Sequence, residues 1–306
     1  MFIKYQTVKI GSQCNFRCVG CDYENDARQA LPHEEIKKLL YSIPVGENVE
    51  FIGGDPFIRK DVLTIVKIAA RRFTRVKFNT NAAGFFYKKL LVDALANGLK
   101  ILNIKFYSID PAIHKASTRT DTLQYVVKGM DNLSECVEKY DHSIEKMEAA
   151  KFAVIVQIIV NRTTLPGIIE TVDYVSRKKF ARLMLDCGKT EEINDELLDV
   201  IRKSIGISLK NGTWPLALGL PPCALPELEE HAGECYRLER RIPGYRQVPE
   251  ICGRCEIHGV CAGIPESQVN KWEWKPIENA QPSRKMQDLK NIYANLNWEE
   301  QNSGDG

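Results

Sequence analysis

Gln6-Thr7-Val8-Lys9-Ile10-Gly11-Ser12-Gln13-Cys14-Asn15-Phe16-Arg17-Cys18-Val19-Gly20-Cys21 decides how the rest of the chain is read. It opens on a short alternating apolar run with the period of a half-buried strand. A glycine then breaks the run, and three cysteines follow in a CxxxCxxC spacing. Thiolates this close on one loop can converge on a metal group, and iron–sulfur clusters are held by Cys thiolates. Three ligands would leave one iron open to a substrate or cofactor. Zinc is the rival reading, but it asks for a fourth ligand, for which His33 is the candidate.

Outward from this loop, strands and amphipathic helices alternate. Strand patterns lie at Gln6–Ile10, Val49–Ile52, Val76–Asn79, Ile101–Tyr107, Phe152–Val160 and Leu183–Asp186. Helical patterns lie at His33–Ser42, Asp61–Arg72, Tyr87–Asn97, Thr122–Tyr140, Leu165–Lys178 and Asp195–Ser204. Asp61 is placed as an N-cap, and Gly98 as a stop. Six such units imply an α/β fold with a parallel sheet. Right-handed crossovers would curl it into a partial (β/α)6, TIM-like barrel. In such barrels chemistry sits in the loops after the strands. Those loops carry Gly53-Gly54-Asp55-Pro56, Thr80-Asn81, Ser108 and Asp110, Asn161, and Cys187.

After about residue 205, helical periodicity gives way to Gly, Pro and Cys. The expected division is a barrel over 1–204 and a small, irregular C-terminal iron–sulfur domain with a tail over 205–306. Net charge is +2, which gives no electrostatic case for nucleic acid or an anionic membrane. No apolar run is long enough to span a bilayer, and the N-terminus lacks a signal peptide's apolar core. A cytoplasmic protein is expected. Its ten cysteines, in a reducing compartment, then read as ligands rather than disulfides.

On these residues the chain resembles the radical S-adenosylmethionine (SAM) superfamily. The CxxxCxxC loop after the first strand is its signature. Gly53-Gly54-Asp55-Pro56 looks like its GGEP motif, whose backbone meets the SAM amino group. Asn79-Thr80-Asn81 looks like its TNG segment, with Ala82 in place of Gly. Phe106–Asp110, His114 and Arg119 look like its strand-four segment. There Ser108 or Asp110 would meet the ribose and Arg119 the SAM carboxylate. The residue before the third Cys is often aromatic in this family; here it is Gly20, and Tyr23 is the nearby aromatic for adenine. Each has a plainer reading: Gly53-Gly54 as a tight turn, Asp55 as a local cap, Arg119 as a surface ion pair. Taken alone, Arg119 and Asn161 favour the plainer one.

The resemblance implies a 4Fe–4S cluster on Cys14, Cys18 and Cys21. An electron from a flavodoxin- or ferredoxin-type donor would pass through it to SAM, giving methionine and a 5′-deoxyadenosyl radical. The radical would take a hydrogen atom from the substrate.

Cys252, Cys255 and Cys261 form a second set, CxxCx5C. It looks like the auxiliary-cluster appendage of the SPASM and twitch subfamilies, with one 4Fe–4S cluster rather than two. Cys223, in a rigid Pro221-Pro222-Cys223 turn, is preferred as fourth ligand, with Cys235 the rival. A zinc knuckle is the alternative. Cys136 reads as buried and inert. Cys187, at the barrel mouth, and Cys235 are candidate hydrogen-atom donors, although a buried strand-end cysteine is the plainer reading of Cys187.

Appendages of this kind most often accompany modification of ribosomally made peptides, so an oxidoreductase-type peptide maturase is the leading expectation. The chain starts almost at its first strand, so a separate leader-peptide-binding protein is expected to present the substrate. Small-molecule dehydrogenase or epimerase chemistry is the alternative, and a non-catalytic iron–sulfur or zinc scaffold the second.

Overall fold

A computed structural model describes residues 5–24, 29–137, 152–178, 180–188, 190, 193–233, 246–247, 250–257, 261–265, 269 and 276–277. Their contacts divide into two units. The first takes the described residues of 3–185 and 206–215; the second takes those of 186–205 and 216–306.

Seven strands form one parallel sheet whose spatial order equals their chain order. They are β1 (Gln6–Lys9), β2 (Asn48–Ile52), β3 (Arg75–Thr80), β4 (Ile101–Phe106), β5 (Ala153–Ile159), β6 (Arg182–Asp186) and β7 (Pro215–Leu218). Helices α1 (His33–Ser42), α2 (Val62–Arg72) and α3 (Lys88–Ala96) connect the first four strands. Between β4 and β5 lie α4 (Pro111–Thr118) and α5 (Leu123–Val137); α6 (Ile168–Ser176) and α7 (Asp195–Lys210) follow β5 and β6. The architecture is the expected α/β partial barrel, with one strand more than the six read from the sequence. In the second unit, β8 (Arg246–Gln247) pairs antiparallel with β9 (Ile264–Pro265).

Alternation gives the sheet two unlike faces. Val49 and Phe51 of β2, Val76 and Phe78 of β3, and Leu102 and Ile104 of β4 are buried. Phe51 stacks on Phe78 at 4.3 Å, and Phe57 meets Phe85 at 4.4 Å. Each fully buried Phe is worth about 2–3 kcal/mol. The helices supply matching stripes, such as Val62, Ile65, Val66 and Ala69 of α2 at the i, i+3, i+4, i+7 spacing. The opposite face is polar and bears directly on the site.

Three local expectations are corrected, and one helix is added. Asp61 precedes α2 but makes no side-chain cap, because Arg59 and His33 take its carboxylate. The pattern at Leu165–Lys178 opens as a 3-10 turn, Leu165–Gly167, and α6 begins at Ile168, since Pro166 fits only a first turn. Helix α7 runs on to Lys210 through Gly206, beyond the expected end at Ser204, and a lone glycine is tolerated there. Helix α4 falls where the sequence patterns assign no element; Asp110 caps it and Pro111 opens it. No helix among the described residues is long and apolar enough to cross a membrane.

Candidate functional site

The three-cysteine loop is held from several sides by backbone alone. At its ends, Ser12 N donates to Gln29 O and Leu31 N to Ile10 O. In its middle, Arg17 N donates to Thr118 O at 3.0 Å and Val19 N to Ser117 O at 2.9 Å, so the end of α4 brackets Cys18. Phe16 is buried edge-on against His114, 5.5 Å between ring centres. The loop after β2 lies directly on it: Gly54 N donates to Gly11 O and Asp55 N to Gln13 O. A Cβ on Gly54 would stand 1.7 Å from Gln13 O, and one on Gly53 2.0 Å from Gly11 O. No side chain fits at either position, which is a stronger demand than a tight turn makes.

Cys14, Cys18 and Cys21 are free thiols of intermediate exposure. Phe16 N donates to Cys14 Sγ at 3.4 Å, and Asn81 Nδ2 approaches the same sulfur at 3.8 Å. Burial pushes the Cys14 thiol up to about 12, helped by the Asp55 carboxylate and by Cys18 and Cys21. Burial also raises Cys18, against a Tyr107 hydroxyl that donates to its sulfur. Buried thiols such as Cys14 and Cys18 are costly to ionise alone, and a bound cation reverses that cost. The donor set therefore fits a thiolate-ligated cluster. His33 Nδ1 lies 2.9 Å from Asp61 Oδ2. Among the described residues, no three His, Cys, Asp or Glu side chains gather at the spacing of a single metal ion. Ligands of a cluster bind separate irons and stand further apart.

Asp55 is 2 % exposed, and its carboxylate joins two loops, those after β2 and β3. Its Oδ1 accepts Phe57 N at 2.9 Å, capping the turn Pro56–Ile58. Its Oδ2 accepts Thr80 Oγ1 at 2.8 Å and Asn81 N at 2.7 Å. Burial raises its pKa, and these three donors work against the rise. The plainer reading of Asp55 as a cap thus holds, and it bridges to the Thr80-Asn81 segment as well. Asn81 Nδ2 goes on to Asn15 Oδ1 at 2.7 Å. Ala82 adopts φ +66°, the left-handed conformation that explains why glycine suits this position.

The strand-four residues are largely occupied. Ser108 is fully buried, its Oγ between Thr171 Oγ1 and Asp110 N. Asp110 is exposed, and its Oδ1 caps α4 through Ala112 N and Ile113 N. Arg119 pairs with Glu24 at 2.5 Å. The Tyr23 ring lies beneath Lys9 Nζ, 4.8 Å from its centroid. Asn161 Oδ1 accepts Thr163 N and Thr164 N within its own turn.

Sequence reasoning missed a polar ladder across the other sheet face. Glu50, Lys77, Asn79, Asn103, Lys105 and Gln157 share that face by register: Glu50 opposite Lys77, Asn79 opposite Asn103, Lys105 opposite Gln157. Asn79 Nδ2 donates to Glu50 Oε1 at 2.7 Å and to Phe51 O. Asn103 Nδ2 donates to Asn79 Oδ1 at 2.7 Å and Gln157 Oε1 at 2.9 Å. The signal was present: Asn103 and Gln157 interrupt otherwise apolar strands, ILNIKF and AVIVQII.

In the second unit, Cys223 sits in the turn Pro222–Ala224 and Cys252 in the turn Glu250–Arg254. Cys255 N donates to Cys252 O, and Gly263 N to Cys261 Sγ at 3.3 Å. Burial raises the Cys223 thiol strongly, and the charges of Cys261, Cys255 and Cys252 raise it further. Cys223 is thus within electrostatic reach of the other three sulfurs. Cys235 lies outside the described residues. Cys187 is 4 % exposed, with its N–H on Leu218 O, and Cys136 is buried in α5.

Residues 8–145 match the Radical SAM superfamily. Relatives include GTP 3′,8-cyclase of Thermodesulfovibrio yellowstonii, 28 % identical over 42 % of this chain and 42 % of that protein. A probable GTP 3′,8-cyclase of Thermococcus kodakarensis is 30 % identical over 40 % of this chain and 41 % of its own. The chain spans about two fifths of the length of these curated relatives. Among solved structures, Streptococcus suis SuiB bound to precursor peptide SuiA is similar with TM-score 0.53 and 17 % identity, over 74 % of this chain and 52 % of SuiB. Native anSMEcpe with bound AdoMet is similar with TM-score 0.53 and 13 % identity, over 95 % of this chain and 99 % of that one. These likenesses show the fold. Residues 8–145 are thus similar to a radical SAM superfamily domain.

Proposed function

We propose that this enzyme binds a 4Fe–4S cluster through Cys14, Cys18 and Cys21 and SAM at its open iron, and modifies a ribosomally made peptide. The observation that carries the reading is the three-thiol loop lying backbone to backbone on the side-chain-free Gly53-Gly54 pair. Once bound, cluster and SAM supply a hydrogen-abstracting radical at the expense of one electron from a low-potential flavodoxin- or ferredoxin-type donor.

The chain's own residues hold and shield. Gly53, Gly54, Asp55 and Pro56 would present backbone to the SAM amino group, with Asp55 and Asn81 fixing that backbone. Ser108 or Asp110 would serve the ribose, Tyr23 the adenine, and Asn79 and Asn161 the walls. Arg119 would serve the SAM carboxylate only by giving up Glu24. Cys223, Cys252, Cys255 and Cys261 would hold a second 4Fe–4S cluster in a SPASM/twitch-like appendage, a reading supported by their mutual effect on Cys223. Cys187 and Cys235 remain the candidate hydrogen donors. Peptide modification is supported by that second set and by the fold shared with SuiB, whose structure holds a precursor peptide. A separate leader-binding protein would present the peptide.

A nucleotide substrate is the second reading, favoured by the relatives named GTP 3′,8-cyclase. The test is anaerobic incubation of reconstituted protein with dithionite and SAM. Release of 5′-deoxyadenosine is expected, and none from the Cys14/Cys18/Cys21→Ala variant. Cys252→Ala should keep SAM cleavage and lose product. Absence of 5′-deoxyadenosine from loaded wild type would leave a scaffold, and GTP consumption would favour the nucleotide reading.

A further inference from the structure

The carboxamide of Asn81, buried just past the end of β3, is held in one orientation. Its Oδ1 accepts Ala83 N at 3.0 Å, so the acceptor end is spent on its own turn. The Nδ2 end faces the three-thiol loop. One contact goes to Asn15 Oδ1 at 2.7 Å and the other to Cys14 Sγ at 3.8 Å. A primary amide has two hydrogens for these two acceptors. Sulfur is a larger and weaker acceptor than oxygen and takes its hydrogen bonds at longer range. A flipped amide would set oxygen against Asn15 Oδ1 and nitrogen against Ala83 N, and all three contacts would be lost. The backbone is held as firmly. Asn81 N donates to Asp55 Oδ2 at 2.7 Å, and Asp55 N donates to Gln13 O, the residue before Cys14, at 2.8 Å.

The Cys14 sulfur has use for such a donor. Burial, then the Asp55 carboxylate and the neighbouring Cys18 and Cys21, make negative charge on it costly, and the Phe16 N–H at 3.4 Å works the other way. An electron that enters a cluster adds one more negative charge, and hydrogen bonds to the ligand sulfurs help to set how readily it enters. The Phe16 donor is backbone and belongs to the loop itself. The Asn81 donor is a side chain brought from another strand, so a substitution can remove it.

We propose that Asn81 is a positioning residue for the cluster: its Nδ2–H, aimed by Asp55 and Ala83, donates to the Cys14 thiolate and raises the reduction potential of the 4Fe–4S group which that thiolate would hold. The proposal rests on the cluster reading above and deepens it, since it gives Asn81 a partner other than SAM.

The test is a redox titration of the full chain, anaerobically reconstituted and without SAM, followed by electron paramagnetic resonance. The signal of the first cluster is the one that moves when SAM is added to a parallel sample. Asn81→Ser and Asn81→Asp both keep an acceptor for Ala83 N, and neither brings a donor to Cys14. At the potential where the wild-type first cluster is half reduced, the ratio of reduced to oxidised cluster should fall about threefold in Asn81→Ser. It should fall about tenfold in Asn81→Asp, which also adds a charge. A ratio equal to that of wild type, or a higher one, in iron-loaded Asn81→Ser overturns the proposal and leaves the cluster reading standing. If neither variant loads iron, wild type labelled with nitrogen-15 at its asparagine side-chain amides decides. Its reduced first cluster should show a coupling to that nitrogen in pulsed resonance, and no coupling overturns the proposal. Weaker SAM binding by Asn81→Ser at an unchanged potential would assign Nδ2 to SAM and also overturn it. Wild type that loads no iron on the first set would overturn the cluster reading and the proposal with it.

Discussion

The backbone N–H of Asn81 donates to Asp55 Oδ2 at 2.7 Å, so one buried carboxylate ties the end of β3 to the loop that carries Gly53 and Gly54. The same oxygen accepts from Thr80, and its partner oxygen caps the turn at Phe57. Asp55→Ala would strand three buried donors. It should cost about 3 kcal/mol in urea unfolding, and Asp55→Asn, which keeps one acceptor, about half of that. Equal stability of Asp55→Ala and wild type would show that the two loops stand without this link.

His114 gives the stability a pH dependence. It is 1 % exposed, and burial lowers its pKa to about 4, with only partial opposition from Asp121. The neutral ring is thus the folded form. The stabilisation it provides is complete above the ordinary value near 6.5 and is lost as pH falls through about 4. Between pH 7.5 and 4.5, wild type should lose about 2 kcal/mol more than His114→Gln. Parallel pH profiles for the two proteins would refute it.

Arg59 is a buried fork. Nη1 donates to Ile10 O at 3.1 Å, Nη2 to Leu31 O at 3.0 Å, and Nε and Nη2 grip Asp61. Burial alone would raise the Asp61 pKa, but the bonds from Arg59 and His33 bring it below the ordinary value. Arg59→Met should cost about 3 kcal/mol, because it leaves two carbonyls and a carboxylate short of donors. Arg59→Lys should recover less than half, since an ammonium cannot span the fork. Thermal melts of the three proteins decide the order.

Iron content separates the two cysteine sets. Anaerobically reconstituted wild type should hold about eight irons, and the Cys14/Cys18/Cys21→Ala variant about four. Cys223→Ala should also lose about four, whereas Cys235→Ala should keep all. The reverse pattern for Cys223 and Cys235 would exchange their roles, and zinc as the sole metal would end the cluster reading.

Most of the fold was legible because strand and helix periods are strong local signals. Helix α1 matches its sequence range at both ends, and the first six strands shift by a residue or two. What escaped depends on partners far along the chain or on very short elements. The four residues of β7 open on Pro215 and are too short to stand out as a strand until a neighbouring strand pairs with them. Asp110-Pro111 carried a helix-start signal that the strand-four resemblance drew toward the ribose. The cysteines and glycines of the site were legible as motifs. The Glu50–Asn79–Asn103–Gln157 ladder was not, because its four members lie on four strands and meet only when the register is set.

Strand order that equals chain order has a consequence for biosynthesis. Each strand, as it leaves the ribosome, docks on an edge that already exists, and no strand must wait for a later one to open a gap. The three-thiol loop is the exception. It is made early, yet its backbone anchors at Ser117 and Thr118 come about a hundred residues later, a delay of roughly 5–20 s at ordinary translation speed. For that interval the nascent chain carries three thiols with no finished cradle around them. The vulnerable stage in this protein's life is therefore its synthesis, when oxidants can reach the sulfurs before the fourth strand and its helix have closed the loop's geometry.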